Sequence, residues 1–534
     1  MGSKDLGHNS VNAQQPGVLP GSSRFPEHAF MRYFEDGYLH WPSRIAIMGT
    51  GETITYSEAY LRAKTIMWCL KHDYSIGPGS TVALASPNIA GLPIVMAAVQ
   101  ACGAMLVMCS NYAELVDYTA YARLTHPDLF IVCRPDACDE LARECPDVAV
   151  MTLHCECEGY PAVRHVLAKY RAEGVAYEPD FEEGARIVLF SSGSTGAPKA
   201  IVNRFESFHH NGCEIARGYR IGSDDVMYLP VPLFHSYGMI GLYAAFTEGA
   251  TIVTLLKYRP DSSLATIESA RVSVYFGVPT MYLREMREST DGDWDFSSLR
   301  VMKLAGSACP EEAVMQLEEH FGCKLLASYG MTETAATCTM ADYDAPLSVR
   351  ASSVGVPIDG VTLKIDADTG ELLVKSVSLM DGILREDGSL DAGASAGIDE
   401  DGWFHSGDVA AVDEDGNYHI VGRIKDIIIR GGVNIFPVEI ENAYQQHEGI
   451  SESCLVGYPD PDLGERTCLC VIEAEGHDEP ASSLRAFAIG RLEKWKVPDV
   501  VMKMESLPRL ASGKTDKKAL QALVIEALHK GSSL

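Results

Sequence analysis

A chain of 534 residues with 44 basic and 73 acidic side chains carries a formal charge of −29. This excludes nucleic acid and anionic membrane surfaces as main partners, because both are held by clustered Lys and Arg. With 46% hydrophobic and 22% charged residues it is neither disordered throughout nor fibrous, and its length calls for at least two domains.

Residues 1–25 are polar, rich in Gly, Ser, Asn and Gln, and lack the apolar core of a signal peptide. They predict a disordered tail on a cytoplasmic protein. Thr55 to His72 has apolar residues at helical spacing, Gly77-Pro78-Gly79 is a turn, and Thr81 to Ala85 reads as a buried strand. The apolar run from Leu92 to Met108 is interrupted by Gln100 and Gly103 and is short for a membrane span, so a core helix leading into a buried strand is expected. The 15 cysteines are odd in number, scattered and mostly set in apolar runs such as those of Cys69, Cys102 and Cys470, which predicts reduced thiols. His154-Cys155-Glu156-Cys157 is too crowded for a metal site and has no second Cys/His pair at zinc spacing. Further buried strands are predicted at Ile187–Phe190, Val226–Leu229, Ala250–Leu255 and Val272–Phe276, alternating with helical patterns. The implied fold class is α/β with mostly parallel sheets. Between about Val354 and Asp415, short strands alternate with Gly- and Asp-rich turns, which suggests a small antiparallel or barrel-like subdomain. After Arg423 the texture is that of a compact α+β unit, so a boundary falls near Ile424.

The strongest local signal is Ser191-Ser192-Gly193-Ser194-Thr195-Gly196-Ala197-Pro198-Lys199, directly after an apolar strand. Its glycines let successive N–H groups converge on an anion, its hydroxyls add donors, and Lys199 adds a point charge. This is a phosphate-binding loop. Gly513-Lys514-Thr515 imitates the end of a Walker A motif, but Pro508 stands where that motif needs glycine.

Together with this loop, a series of motifs resembles the adenylate-forming superfamily of acyl- and aryl-CoA ligases, luciferases and peptide-synthetase adenylation domains. In the family's order they are Pro232-Leu233-Phe234-His235, Leu304-Ala305-Gly306-Ser307-Ala308, Tyr329-Gly330-Met331-Thr332-Glu333, Trp403-Phe404-His405-Ser406-Gly407-Asp408, Gly422-Arg423-Ile424-Lys425-Asp426, Gly431-Gly432-Val433-Asn434 and Ser512-Gly513-Lys514. The resemblance implies an N-terminal adenylation domain over 26–423, built of two mostly parallel α/β sheets and a β-barrel-like subdomain. A mobile α+β domain would follow over 424–534. It implies ATP, Mg²⁺ and coenzyme A as cofactors and a small carboxylic acid as substrate.

The implied roles are chemically sound. Tyr329 would stack on adenine, beside Gly330 and Met331. Glu333 would hold Mg²⁺, a hard cation suited to carboxylate and phosphate oxygens, and Thr332 would bond the α-phosphate. Asp408 would accept both ribose hydroxyls, with Arg423 close by. Lys514 would be the catalytic cation, entering as a carboxylate attacks the α-phosphate and negative charge develops. Gly306, Ser307 and Ala308 would line the adenine or acyl pocket. Ser236, Tyr237, Gly241, Ser328, Thr334 and Ala335 would complete the acid site. Lys425 would be the hinge, and Gly431-Gly432 would line the pantetheine path.

His235 replaces the aspartate with which peptide-synthetase domains pair an α-ammonium, so a free amino acid is disfavoured and an acyl- or aryl-CoA ligase is expected. Departures from the family pattern are Ser406 for threonine, Ile383 for tyrosine, Ile429 for the lysine of plant coumarate ligases, and Ser328 for a glycine before Tyr329. The alternatives are an enzyme loading a separate carrier protein and a nucleotide sensor without catalysis. No integral membrane segment is expected, and the protein would be a monomer or homodimer.

Overall fold

The structure is a computed structural model that describes residues 25–112, 114–173, 180–191, 199–307, 309–474, 476–509 and 515–529. Several expected site residues lie outside the described residues: Ser192 to Gly196 of the phosphate loop, Ala308 and Lys514. Phe25, read from sequence as the end of the tail, instead belongs to the core. It is buried and packs edge-on against Phe181 at 6.2 Å.

Two large sheets carry the first 400 residues. One has nine strands, beginning with Ile45–Gly49 and including Val226–Tyr228, Val274–Gly277, Val301–Leu304 and Lys324–Tyr329. Its central pairings are parallel. The other has eight strands. Its Thr81–Ala85, Met105–Cys109, Leu129–Val132, Ala149–Thr152 and Arg186–Ser191 are parallel, and Lys199–Arg204 closes back antiparallel. Continuous apolar runs make these strands, because both faces are covered by helices. Leu92–Ala101 is buried on every side, which explains why it shows no polar face. The helix Tyr56–Asp73 starts where Thr55 and Glu58 form a capping box: Glu58 N–H donates to Thr55 Oγ1 at 3.2 Å, and Thr55 N–H to Glu58 Oε2 at 2.9 Å.

The region from 354 to 415 is antiparallel, as its Gly/Asp turns foretell, but its strands are shared out. Val361–Ile365, Glu371–Ser376, Phe404–Val412 and Tyr418–Arg423 form an open four-stranded sheet. Gly382–Leu384 and Leu390–Asp391 extend the eight-stranded sheet instead, and Val356–Pro357 ends the nine-stranded one. A last sheet, Ile428–Arg430, Val433–Ile435, Ile450–Asp460, Gly464–Glu473 and Val500–Lys503, has cores of its own around Tyr444, Leu455 and Leu469 and around Cys468, Cys470 and Leu520. All 15 cysteines are free thiols. Among the described residues no helix is long and apolar enough to cross a membrane, and no cluster of three His, Cys, Asp or Glu could hold a metal.

Candidate active site

The site is built where strand ends of three sheets meet. Asp408 and Arg423 are direct cross-strand partners on Phe404–Val412 and Tyr418–Arg423. Arg423 Nε lies 2.7 Å from Asp408 Oδ1, and Tyr329 Oη donates to Asp408 Oδ2 at 2.7 Å. Asp408 is only 3% exposed. A buried carboxylate persists when both oxygens are bonded, one of them to a guanidinium. Burial, and next the Asp408 charge, push the Tyr329 hydroxyl well above its ordinary pKa, so it remains a donor. Glu371 braces the turn before Asp408, accepting from Gly407 N–H at 2.8 Å and meeting His405 Nδ1 at 2.8 Å.

Tyr329 ends its strand at a tight reversal. A Cβ on Gly330 would stand 2.2 Å from the Ala336 carbonyl oxygen, so only glycine fits. The chain then makes the 3₁₀ turn Thr332–Thr334 and the left-handed residues Ala335 and Ala336. Asn211, wholly buried, holds this loop by donating to the carbonyls of Thr334, Ala335 and Thr337 at 2.9, 3.0 and 3.1 Å. Thr334 and Ala335 are fully enclosed. Glu333 is raised above the usual carboxylate range, first by burial; Lys199 and Arg423 pull it back, and Asp408 pushes it up. Lys199 therefore lies in the same field as Glu333. It is the register partner of Ser191, so the two described ends of the phosphate loop stand side by side at the hairpin mouth.

His235 is the N-cap residue of helix Ser236–Phe246. Asn88 holds the approach to it, accepting from Leu233 N–H at 3.0 Å and donating to the Val231 carbonyl at 2.8 Å. The Ser236 and Thr332 hydroxyls are 3.4 Å apart, which joins the His235 and Tyr329–Glu333 motifs. Tyr237 stacks on Phe276 at 6.1 Å and donates to the Gly277 and Lys303 carbonyls at 2.7 and 3.1 Å. Gly241 sits against Leu229 and Phe276. Gly306 and Ser307 are exposed beyond the strand Val301–Leu304. Ser328 is buried and accepts from the Lys303 ammonium.

The remaining expected residues lie on the C-terminal side. Lys425 is in the 3₁₀ turn Ile424–Asp426, which links the two parts of the chain. Gly431 and Gly432 form the two-residue hairpin between Arg430 and Val433, with φ of 59° and 82°. Both left-handed values belong to a type I′ turn, which glycine tolerates best. Glu371, Asn211 and Lys303 escaped the sequence reading. Lys303 alone left a signal there, as a charge inside the apolar strand Val301–Leu304.

Asp408, bonded by Tyr329 and Arg423, thus lies in the same field as Glu333 and Lys199, the arrangement the motifs lead one to expect. Comparison with known proteins agrees. The model for AMP-binding enzymes matches residues 34–384, and that for the AMP-binding enzyme C-terminal domain matches residues 439–514. The chain belongs to the AMP-binding enzyme family, on its acyl-CoA ligase branch: it is an AMP-forming acid–CoA ligase that uses ATP and CoA and works through an acyl-adenylate. It is 29% identical to a feruloyl-CoA synthase of Amycolatopsis sp, with 89% of this chain and 94% of that protein covered. It is 33% identical to a Rhodococcus jostii (strain RHA1) ligase named for joining CoA to a methyl-dioxo-octahydroindenyl propanoyl group, over 66% of this chain and 67% of that one. The ATP-bound structure of MatB from Rhodopseudomonas palustris superposes with a TM-score of 0.80 at 25% identity, covering 93% of this chain and 99% of that one.

Proposed function

We propose that the enzyme activates a small or medium hydrophobic or aromatic acid, with Tyr329, Asp408 and Arg423 as its nucleoside cradle. The observation that carries this reading is Asp408, whose two oxygens are oriented by Tyr329 and Arg423 at 2.7 Å each. One carboxylate can serve two vicinal hydroxyls, so the ribose would compete for oxygens that are already aimed. Thr332 and Lys199 then flank the phosphates. Adenylation needs no general base, because the attacking carboxylate is ionised at neutral pH. Lys514 supplies positive charge as charge builds on the α-phosphate, and CoA thiolate afterwards displaces AMP from the acyl group. Glu333 fits a Mg²⁺ ligand: it is a carboxylate in a desolvated place, in the field of the phosphate-loop lysine Lys199. Magnesium would neutralise phosphate charge there.

The domain limits follow from the same reading, with residues 26–423 as the adenylation domain and 424–534 as the unit that turns about Lys425. We further propose a cytoplasmic monomer or homodimer, supported by fifteen unpaired thiols and by the use of a thiol substrate. A panel of carboxylic acids assayed for pyrophosphate and AMP release, with and without CoA, tests the whole. Release of pyrophosphate with acid and ATP alone, and of acyl-CoA once CoA is added, is the expected result. ADP and phosphate as products would contradict it.

A further inference from the structure

Lys303 has no part in the chemistry above, yet it stands beside it. It occupies the third position of the strand Val301–Leu304 and is 1% exposed. Its ammonium donates to Ser328 Oγ and faces the rings of Tyr219, Phe276 and Tyr237, with centroids 5.4, 5.6 and 5.7 Å away. Among the described residues no carboxylate pairs with it. Burial alone pushes it down to about 7. An ammonium has three N–H donors, and a hydroxyl takes one; aromatic faces attract a cation without replacing a lone pair. A lysine that is buried and so sparsely partnered is costly to keep for packing, since an apolar side chain of the same volume would serve as well.

Its position says what it is for. Ser328 immediately precedes Tyr329. Tyr237, whose hydroxyl holds the Lys303 carbonyl, immediately follows Ser236, and Ser236 touches Thr332. The ammonium thus touches Ser328 and the ring of Tyr237, one from each of the two segments expected to flank the reacting carboxylate. We propose that Lys303, with Ser328, is the specificity residue that binds an oxygen acceptor carried by the acid at its far end, so that the substrate is an oxo- or carboxy-substituted acid. This rests on the functional reading given above. A substrate oxygen would occupy the donors that Ser328 leaves open, and an acid lacking it would leave the ammonium unpaired. Sites built to bond a substrate polar group discriminate far more sharply than apolar ones.

The test compares kcat/KM for pyrophosphate release on three acids of one carbon skeleton: unsubstituted, with a distal ketone, and with a distal carboxylate. Wild type is expected to favour one of the oxygen-bearing acids over the unsubstituted one by about 100-fold or more. Lys303→Met, similar in length and unbranched, should reduce that preference to about threefold or less and raise use of the unsubstituted acid. If Lys303→Met does not fold by circular dichroism, Lys303→Gln, which keeps a neutral donor, is judged by selective loss of the carboxylate-bearing acid. A wild type that prefers the unsubstituted acid overturns the proposal, as does an oxygen preference that survives both substitutions. Pyrophosphate release without discrimination sinks this inference alone. No release with any acid sinks the functional reading with it.

Discussion

The proposed nucleoside cradle and the contact between the two parts of the chain are built in opposite ways. Tyr329, Asp408 and Arg423 are placed by strand register, and Asp408 is buried between partners at 2.7 Å. Across the junction Phe436 lies against Gly422, but the hydrogen bonds and ion pairs are exposed: Arg284 reaches Glu452 at 3.3 Å, and Gln446 donates to Glu312 at 2.8 Å. Arg509, beyond the strand Val500–Lys503, also pairs with Glu452. Exposed pairs are worth about 0–1 kcal/mol each, whereas breaking a buried charged network costs about 3–5 kcal/mol. A reaction in two halves needs one constant grip on the nucleotide and one contact that can be exchanged. On the proposed assignment of cradle and turning unit, the molecule divides its interactions along that line.

The largest effect is expected where the exchanging unit meets the chemistry. Lys514→Ala should lower adenylate formation by about 10³-fold, as loss of a preorganised charge does. Thioester formation from supplied acyl-adenylate should persist. Single-turnover assays of each half-reaction check this, and equal losses would make Lys514 structural. Next comes the cradle. Asp408→Asn keeps the shape but removes the charge that Arg423 faces, so kcat/KM for ATP should fall about 100-fold, from about 3 kcal/mol lost. An unchanged value would remove Asp408 from the nucleotide site.

A pH dependence between about 4.5 and 7 should arise in the large part of the chain. Glu285 is fully buried and receives a hydrogen bond from Tyr275 Oη at 2.7 Å, while its Oε2 finds no partner. Burial raises it from the ordinary value of 4.5 to about 7. The native protein therefore holds a proton that the unfolded chain has released. Stability falls as pH rises from about 4.5 to about 7 and remains lower above that, by roughly 2–3 kcal/mol. Glu285→Gln removes this titration and keeps the shape of the side chain. Its melting temperature should exceed that of wild type at pH 8 and approach it at pH 5. A constant difference across that range would contradict the assignment. The smallest effect belongs to the junction: Glu452→Gln should change the ratio of the two half-reaction rates by only about two- to fivefold, since exposed pairs are weak. A change of 100-fold would mean that the junction is no loose contact.

Much of this was legible in the sequence. Leu92–Ala101 is the core helix expected there, since an apolar run of ten residues ending before Gly103 is long for a strand. The helix Tyr56–Asp73 follows the helical spacing read from Thr55 to His72, but the capping box of Thr55 and Glu58 was not read. The cradle residues were legible only through their motifs, since a tyrosine, an aspartate and an arginine separated by 79 and 15 positions show no local pattern of contact. The short strands after Val354 were legible as antiparallel, but their sheets were not. Which edge a two- or three-residue strand joins depends on tertiary packing, not on alternation. Asn211 was hidden for a similar reason: it sits inside an amphipathic helix, and only the loop folded over it gives it three carbonyls to bond.

The claim that one grip is constant while the other exchanges is tested most directly at Lys425. It is exposed in the turn Ile424–Asp426, between Arg423 of the cradle and the strand Ile428–Arg430 of the C-terminal sheet. Proline there fixes φ near −65° and pushes Ile424 away from the helical angles of the turn. On a Lys425→Pro protein shown to be folded, single-turnover kinetics should retain pyrophosphate release within about tenfold of wild type, while acyl transfer to CoA falls by 100-fold or more. Losses of equal size in both half-reactions would contradict the account.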